Sequence, residues 1–322
     1  MLNRRQVLAS APLLALAHAT AAPPPFPTKP IRLVYNFAPG GPGDAVSRYL
    51  AQQMAPLLGQ PVFVENLTGG AGAVGILNAA RAPADGHTIL YTPVSGVVQV
   101  PLVTKDGKFD PFKSLSPLAG VGVTPLAIVA HPSVPADDVP SFLAWARTQA
   151  SGVDVAGAGP ITEVACALLA NEAKLKLVYV GYRGASQALQ AVLAGEVKVY
   201  FIVPSAATAE FLKAGKLKAL GVTTAQPSPL LPGVGTIGKH VPGYVQEITF
   251  ALWAPAGVPA EAATRLVDAL KKVLDEPETV ERFSANGLSL HFRPAHELEQ
   301  VTRREAENIR RILETTPVKF GG

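Results

Sequence analysis

The chain has 322 residues, 48% of them hydrophobic and 16% charged, with a formal net charge of +4. So apolar and lightly charged a chain excludes intrinsic disorder, and its length suits about two α/β units with cores of their own. Beyond Arg4-Arg5, adjacent basic residues occur only at Lys271-Lys272, Arg303-Arg304 and Arg310-Arg311, which argues against nucleic acid, and the single cysteine, Cys166, excludes an internal disulfide framework and a cysteine-built metal site.

The chain opens with an export signal over residues 1–21. Arg4 and Arg5 precede an apolar stretch over 7–17, and Ala19-Thr20-Ala21 puts small residues where a signal peptidase reads. That stretch is too short to span a bilayer, and no later one reaches 18 apolar residues, so a soluble mature protein is expected. Asn3-Arg4-Arg5-Gln6-Val7-Leu8 loosely resembles a twin-arginine signal, with Val7 where Phe is usual. Both the twin-arginine and the general secretory routes stay open, and both lead to the periplasm or the cell exterior.

A strand over 31–37, a Gly/Pro loop over 38–43 and a helix follow. Asp44 reads as the N-cap, Val46, Tyr49, Leu50, Met54 and Leu57 keep a helical period, Pro56 distorts the last turn and Gly59 ends it. A strand over 62–64, a glycine-rich turn, an alanine-rich helix to Ala82 and a strand over 88–92 complete a β-α-β-α-β run. Such a run implies a parallel sheet with right-handed crossovers. The pattern restarts with strands over 126–130, 153–156, 177–180, 197–203 and 217–223 and helices over 141–149, 162–173 and 185–193. After a Pro/Gly-rich stretch come a strand over 247–254 and helices over 259–274, 278–286 and 297–313. This order predicts two α/β lobes, with the chain returning to the first.

Four glycine loops stand between a strand and a helix: Pro39-Gly40-Gly41-Pro42-Gly43-Asp44, Gly69-Gly70-Ala71-Gly72-Ala73-Val74-Gly75, Gly157-Ala158-Gly159-Pro160 and Gly181-Tyr182-Arg183-Gly184. Glycine lets backbone approach a ligand, and a helix start favours an anion such as a carboxylate. One loop alone is as readily a tight turn. Each contact is worth about 0.3–2 kcal/mol, while a micromolar ligand needs about 8 kcal/mol, so several must converge. Four loops on the carboxyl ends of strands in two lobes point to a ligand cleft.

Enzymatic signatures fail on inspection. Residues 70–75 match G-x-G-x-x-G, but they lie too far from the preceding strand and lack the acidic residue about twenty positions on. Residues 233–239 match G-x-x-x-x-G-K, yet His240 replaces the magnesium-binding Ser/Thr. His87, His131, His240, His291 and His296 are scattered, and Cys166 reads as a small core residue. No catalytic residue, metal site or cofactor is predicted.

A longer series of motifs carries a resemblance. Lys29-Pro30-Ile31-Arg32-Leu33-Val34 and Phe37-Ala38-Pro39-Gly40-Gly41-Pro42-Gly43-Asp44 are followed by Leu58-Gly59-Gln60-Pro61-Val62, Glu65-Asn66, Gly70-Ala71-Gly72 and Ala84-Asp85-Gly86-His87-Thr88. Tyr182-Arg183-Gly184, Ala214-Gly215-Lys216-Leu217, Ala219-Leu220-Gly221-Val222-Thr223 and Ala254-Pro255-Ala256-Gly257-Val258-Pro259 continue it. In this order, over essentially the whole mature chain, they resemble the Bug (TctC-like) family, the extracytoplasmic solute receptors of tripartite tricarboxylate transporters.

The resemblance implies an α/β type II periplasmic binding protein, or Venus flytrap: two Rossmann-like lobes joined by crossing strands. Lobe 1 would comprise 22–126 and 249–322 and lobe 2 127–248, with 126–130 and 247–254 crossing. It implies a receptor for a small carboxylate; a monomer is expected, and no enzymatic activity, since no nucleophile–base pair is legible. The receptor would serve TctA/TctB-like membrane subunits or, alternatively, a membrane signalling protein. The first two loops would hold the proximal carboxylate, partly through ordered water, using Phe37, Pro39, Gly40, Gly41, Gly43, Asp44, Thr68, Gly70, Ala71 and Gly72, with Thr92 and Ser95 nearby. Gly157, Gly159, Pro160, Glu163, Tyr182, Arg183, Ser186 and Pro204 of the second lobe would set specificity. The chain departs from the family at Pro160, at Glu163-Val164 in place of His-Leu, at Gly181 and Arg183 in a usual Pro-Tyr-Lys-Gly, and at Ile202 where an acidic residue is common. A carboxylate at Glu163 would repel a second ligand carboxylate unless Arg183 offsets it, which disfavours citrate. Equally, Glu163 could cap its helix from the solvent side.

Overall fold

The computed structural model describes residues 25–104, 109–158, 160–182 and 184–315. The expected signal peptide, Gly159 and Arg183 lie outside them. The first sheet begins with β1 (Ile31–Tyr35), α1 (Pro42–Leu58), β2 (Val62–Asn66), α2 (Ala73–Ala80) and β3 (Thr88–Pro93), with β1 pairing in parallel with both other strands. Gly59 closes α1 in the left-handed conformation (φ 73°), a geometry glycine adopts without steric penalty. Gly41, not Asp44, is the N-cap; Asp44 lies one turn inside, where its side chain serves a different purpose.

Four further elements of this part of the fold went unpredicted. α3 (Val94–Thr104) and α4 (Pro111–Ser114) lead into β4 (Leu115–Pro125), and β11 (Ser289–Pro294) joins the same sheet much later. The chain leaves the first sheet at Pro125 and enters the second at Ala127, the start of β5 (Ala127–Ala130). The first crossing is therefore a strand bent at Leu126, and its first-sheet half is the unpredicted one.

The second sheet takes all its strands from one continuous stretch. α5 (Val139–Thr148), β6 (Val153–Gly157), α6 (Pro160–Ala173), β7 (Leu177–Gly181), α7 (Ala185–Leu193), β8 (Val199–Ile202), α8 (Ala206–Lys213) and β9 (Lys218–Val222) give the order β7-β6-β8-β5-β9. Asp138 caps α5 by accepting from the Ser141 N–H at 2.8 Å. The chain then returns through β10 (Glu247–Pro255), α9 (Ala260–Leu274), α10 (Pro277–Ala285), β11 (Ser289–Pro294) and α11 (Ala295–Thr315), completing the first sheet as β11-β4-β10-β3-β1-β2. β10 lies wholly in the first sheet, antiparallel to β3 and β4, so it does not itself cross.

The central strands of both sheets are buried on both faces, while the edge strands β2, β7 and β11 are only partly covered. Leu33, Ile89 and Leu252 pack against α1 and α9, whereas Val34, Leu90 and Trp253 pack against α2, α3 and α11. In the second sheet Val155 and Phe201 meet α5 and α6, and Ala156 and Tyr200 meet α7. This is the doubly wound arrangement that alternating strands and helices dictate.

The two crossings are stitched together at three residues. Thr223 Oγ1 accepts from the Leu126 N–H and donates to the Leu126 carbonyl, each at 3.0 Å, and the Thr223 N–H also donates to that carbonyl at 3.0 Å. The Gln246 N–H donates to the Thr223 carbonyl at 2.9 Å. Buried backbone polar groups must be paired, and at this junction the pairing ties both crossings to the end of β9. No helix among the described residues is long and apolar enough to cross a membrane.

Candidate functional site

The parallel strands of each sheet deliver glycine loops to their carboxyl edges. After β1 the loop over 38–43 is braced from below by Asp44, which is 4% exposed. Asp44 Oδ2 accepts from the Gly40 N–H at 3.0 Å and Arg48 Nε at 2.9 Å, and Oδ1 accepts from Asn66 Nδ2 at 2.8 Å. Asn66 also donates to the Phe37 carbonyl at 3.1 Å and accepts from Arg48 at 2.8 Å. Burial opposes the Asp44 anion, but the bonds from Arg48, Gly40 and Asn66 outweigh it and hold the carboxyl below its ordinary range. Both oxygens are engaged, so Asp44 shapes the loop. Phe37, Pro39 and Gly40 stand exposed above it.

Two glycines fit because no side chain could. A Cβ on Gly43 would fall on the Tyr35 hydroxyl, and one on Gly72 would fall on the Asn36 amide. Asn36 is 1% exposed and donates to the Gly72 carbonyl at 3.4 Å. Its Oδ1 and the fully buried Thr92 Oγ1 find no protein partner among the described residues. Gly96 sits between them, since a Cβ there would be 3.2 Å from Thr92 Oγ1 and 3.8 Å from Asn36 Nδ2. Thr92, Gly72 and buried Ser95 thus gather at the edge of β1 and β3, while Thr68 and Gly70 are exposed at the rim. Ala71 lies in the short 3-10 turn Gly70–Gly72.

Sequence reasoning missed Asn36 as a site residue and used Asn66 only as part of a motif. Asn36, just after β1, and Asn66, the last residue of β2, take their roles from strand register, which the local sequence does not show.

In the second sheet the Tyr182 N–H donates to the Gly157 carbonyl at 2.9 Å, which joins the third and fourth loops. Thr162 Oγ1 and Tyr179 OH lie 2.9 Å apart over Gly157, and a Cβ there would be 2.6 Å from Thr162 Oγ1. Pro160 opens α6 and Glu163 follows in its first turn, half-buried, its carboxyl raised by burial. Tyr182 is half-buried and Ser186 exposed on α7. Pro204 is buried beyond β8, and a Cβ on Gly287, between α10 and β11, would lie 3.3 Å from its carbonyl. Cys166 is buried, its thiol pushed up to about 12 by burial and by Glu163, which makes it a poor nucleophile. Among the described residues no group of His, Cys, Asp or Glu could hold a metal ion.

Two doubly wound sheets, joined at bent crossings and offering glycine loops at corresponding edges, define the fold of the two-lobed periplasmic binding proteins. The periplasmic binding protein BugD has 28% sequence identity and a TM-score of 0.67, over 89% of this chain and 98% of that one. MatC from Rhodopseudomonas palustris, solved with bound malate, has 27% identity and a TM-score of 0.65, over 90% and 99%. The UPF0065 protein of the tcbD-tcbE intergenic region of Pseudomonas sp. (strain P51) is 31% identical, over 97% of this chain and 94% of that protein. Residues 46–317 match the model of the tripartite tricarboxylate transporter family receptor, TctC, and the chain belongs to that family.

Proposed function

We propose that this chain is an exported, monomeric receptor that captures a small organic carboxylate between two lobes and delivers it to a tripartite-type membrane transporter in the periplasm. The observation that carries the reading is the Asp44-braced loop over 38–43 beside Asn36 and Thr92, a cradle whose glycines leave backbone open to an anion. The malate bound by MatC supports the ligand class. The lobes we assign, 22–126 with 249–322 and 127–248, follow the two sheets apart from Glu247 and Ile248, which open β10. Loops of the first lobe would take the proximal carboxylate, and Glu163, Tyr182, Ser186 and Pro204 would face the rest of the ligand. Closure follows only if the ligand binds the closed form better, and contacts from the second lobe supply that difference.

A thermal-shift screen of residues 22–322 against mono-, di- and tricarboxylates, amino acids and aromatic acids tests this. Ligand at about 100 times its Kd adds about 2.7 kcal/mol, a shift of several degrees. Gly40→Val should fold and lose the shift. Nothing lies within 4 Å of a Cβ at Gly40, so the cost is confined to its left-handed backbone (φ 91°), about 1–2 kcal/mol. Flat curves that persist after unfolding and refolding, which removes co-purified ligand, overturn the reading.

Within the same screen citrate should bind more weakly than mono- or dicarboxylates. Glu163 is half-buried, and an anion there meets any third carboxylate with like charge. Glu163→Gln should narrow the gap. A citrate affinity well above all other acids sinks this account of specificity.

A further inference from the structure

Where the chain returns to the first sheet, one buried carboxyl has no ion partner among the described residues. Glu305 on α11 is 9% exposed and faces Gln246, 2% exposed, the residue before β10. Gln246 Nε2 donates to Glu305 Oε1 across a stretched 3.5 Å. The other end of that amide, Oε1, is buried, and no described residue donates to it. An ionised carboxylate has no hydrogen to give, whereas a neutral carboxylic acid has one O–H. The amide and the acid then make two reciprocal bonds, and the orphaned oxygen is satisfied.

The surroundings favour the proton. β10 contributes Glu247, whose charge disfavours a second anion and which is itself held by Arg293 of β11 at 2.5 Å. Arg293 donates from its other terminal nitrogen, Nη1, to Thr249 Oγ1 at 2.9 Å. Burial, with the Arg293 charge, lowers the His291 imidazole of β11 against the pull of Glu247 and Glu297. α6 contributes Glu172, paired with Arg311 at 3.1 Å, and Glu163, whose charge acts on Cys166. α3 and β4, which pack along α11, carry no titratable side chain. On α11 itself the residues one turn away are Val301, Thr302, Asn308 and Ile309. Burial foremost, offset by the Gln246 amide and reinforced by Glu247, pushes the Glu305 carboxyl up to about 7.

We propose that Glu305 and Gln246 form a proton-dependent latch at the junction of the two sheets, held by two hydrogen bonds when the carboxyl is protonated and by one when it is not. Gln246 is also the residue whose N–H grips Thr223, which in turn grips Leu126. Loss of the proton therefore loosens both crossings from the α11 side, at the point about which the sheets would move if the lobes close as proposed above. Between the ordinary carboxyl value and about 7 the folded protein keeps a proton that the unfolded chain has released. The latch's contribution thus falls as pH rises through that window.

The test uses the ligand-free mature protein, so its outcome is independent of the carboxylate screen. Melts at pH 5 and pH 8 compare wild type with Glu305→Gln, whose amide supplies the missing N–H at every pH. Wild type is expected to lose about 5 °C more than the variant over that interval. In wild type, carbon NMR of the Glu305 carboxyl should titrate near 7, as about 300-fold tighter proton binding than in a free glutamic acid. A carboxyl that titrates below about 5, or equal pH dependence in the two proteins, overturns the latch. If Glu305→Gln does not fold, the wild-type titration decides alone.

Discussion

Alanine at position 75 is expected to cost about 3 kcal/mol, the upper end of what overpacking usually costs. Gly75 faces β1 from α2, and a Cβ there would lie 2.6 Å from the Leu67 carbonyl, 2.8 Å from Asn36 Cβ and 3.0 Å from Asn36 Cα. None of these atoms can swing aside as the tip of a side chain can. α2 must back away from β1, taking the Gly70–Gly72 turn with it and separating Gly72 from the Asn36 amide. The melting temperature should fall by roughly 6–12 °C, and carboxylate binding should weaken in the same variant. Melts in the presence and absence of ligand check both effects. An unchanged midpoint would show that α2 does not press on Asn36 as described.

Asp44→Ala should be nearly as severe and should carry a pH signature. It strips three donors, the Gly40 N–H, Arg48 and Asn66, of their acceptor at once. A bond to a charged acceptor contributes about 1.5–3 kcal/mol when shielded. Arg48 is 52% exposed at its side chain, so its ion pair adds little, and the total stays near 2–3 kcal/mol. Because the folded protein holds the Asp44 carboxyl below its unfolded value, its contribution is complete above that unfolded value. It is lost as pH falls through the lowered one. Urea melts should therefore separate wild type from the variant more clearly at pH 7 than at pH 3. An equal gap at both would assign the loss to packing and not to the charge.

Much of the architecture was legible in the sequence, because strands such as β1 and β3 are buried on both faces and read as apolar runs between turn residues. β4 was not. Its sequence, Leu-Ser-Pro-Leu-Ala-Gly-Val-Gly-Val-Thr-Pro, carries two prolines and two glycines and reads locally as loop. The glycines have a tertiary cause: a Cβ on Gly120 would be 2.9 Å from Arg293 Cβ and one on Gly122 2.8 Å from the Ser289 carbonyl. They let β11 lie close, and no local pattern reveals a partner more than 160 residues away. α3 was hidden by Pro101 and a run of valines. Asp44 was found as a helix-start residue but given the wrong position, since Gly41 caps the helix and Asp44 reaches back to Gly40. The partners that complete this brace and the floor beneath it, Asn66 and Asn36, depend on strand register. A single asparagine after a strand carries no mark of the loop it will support.

The strand order also dictates when the protein can become whole. The second sheet draws on one stretch ending at Val222, so it can assemble early as a self-contained insert. The first sheet is interrupted by that insert, and its middle strand, β10, begins only at Glu247. Until then β3 and β4 are separate fragments with bare apolar edges, of the kind that recruit other chains into aggregates. Completion of the sheet that carries the first two glycine loops therefore waits for the last quarter of the polypeptide, and its distant pairings make that step slow.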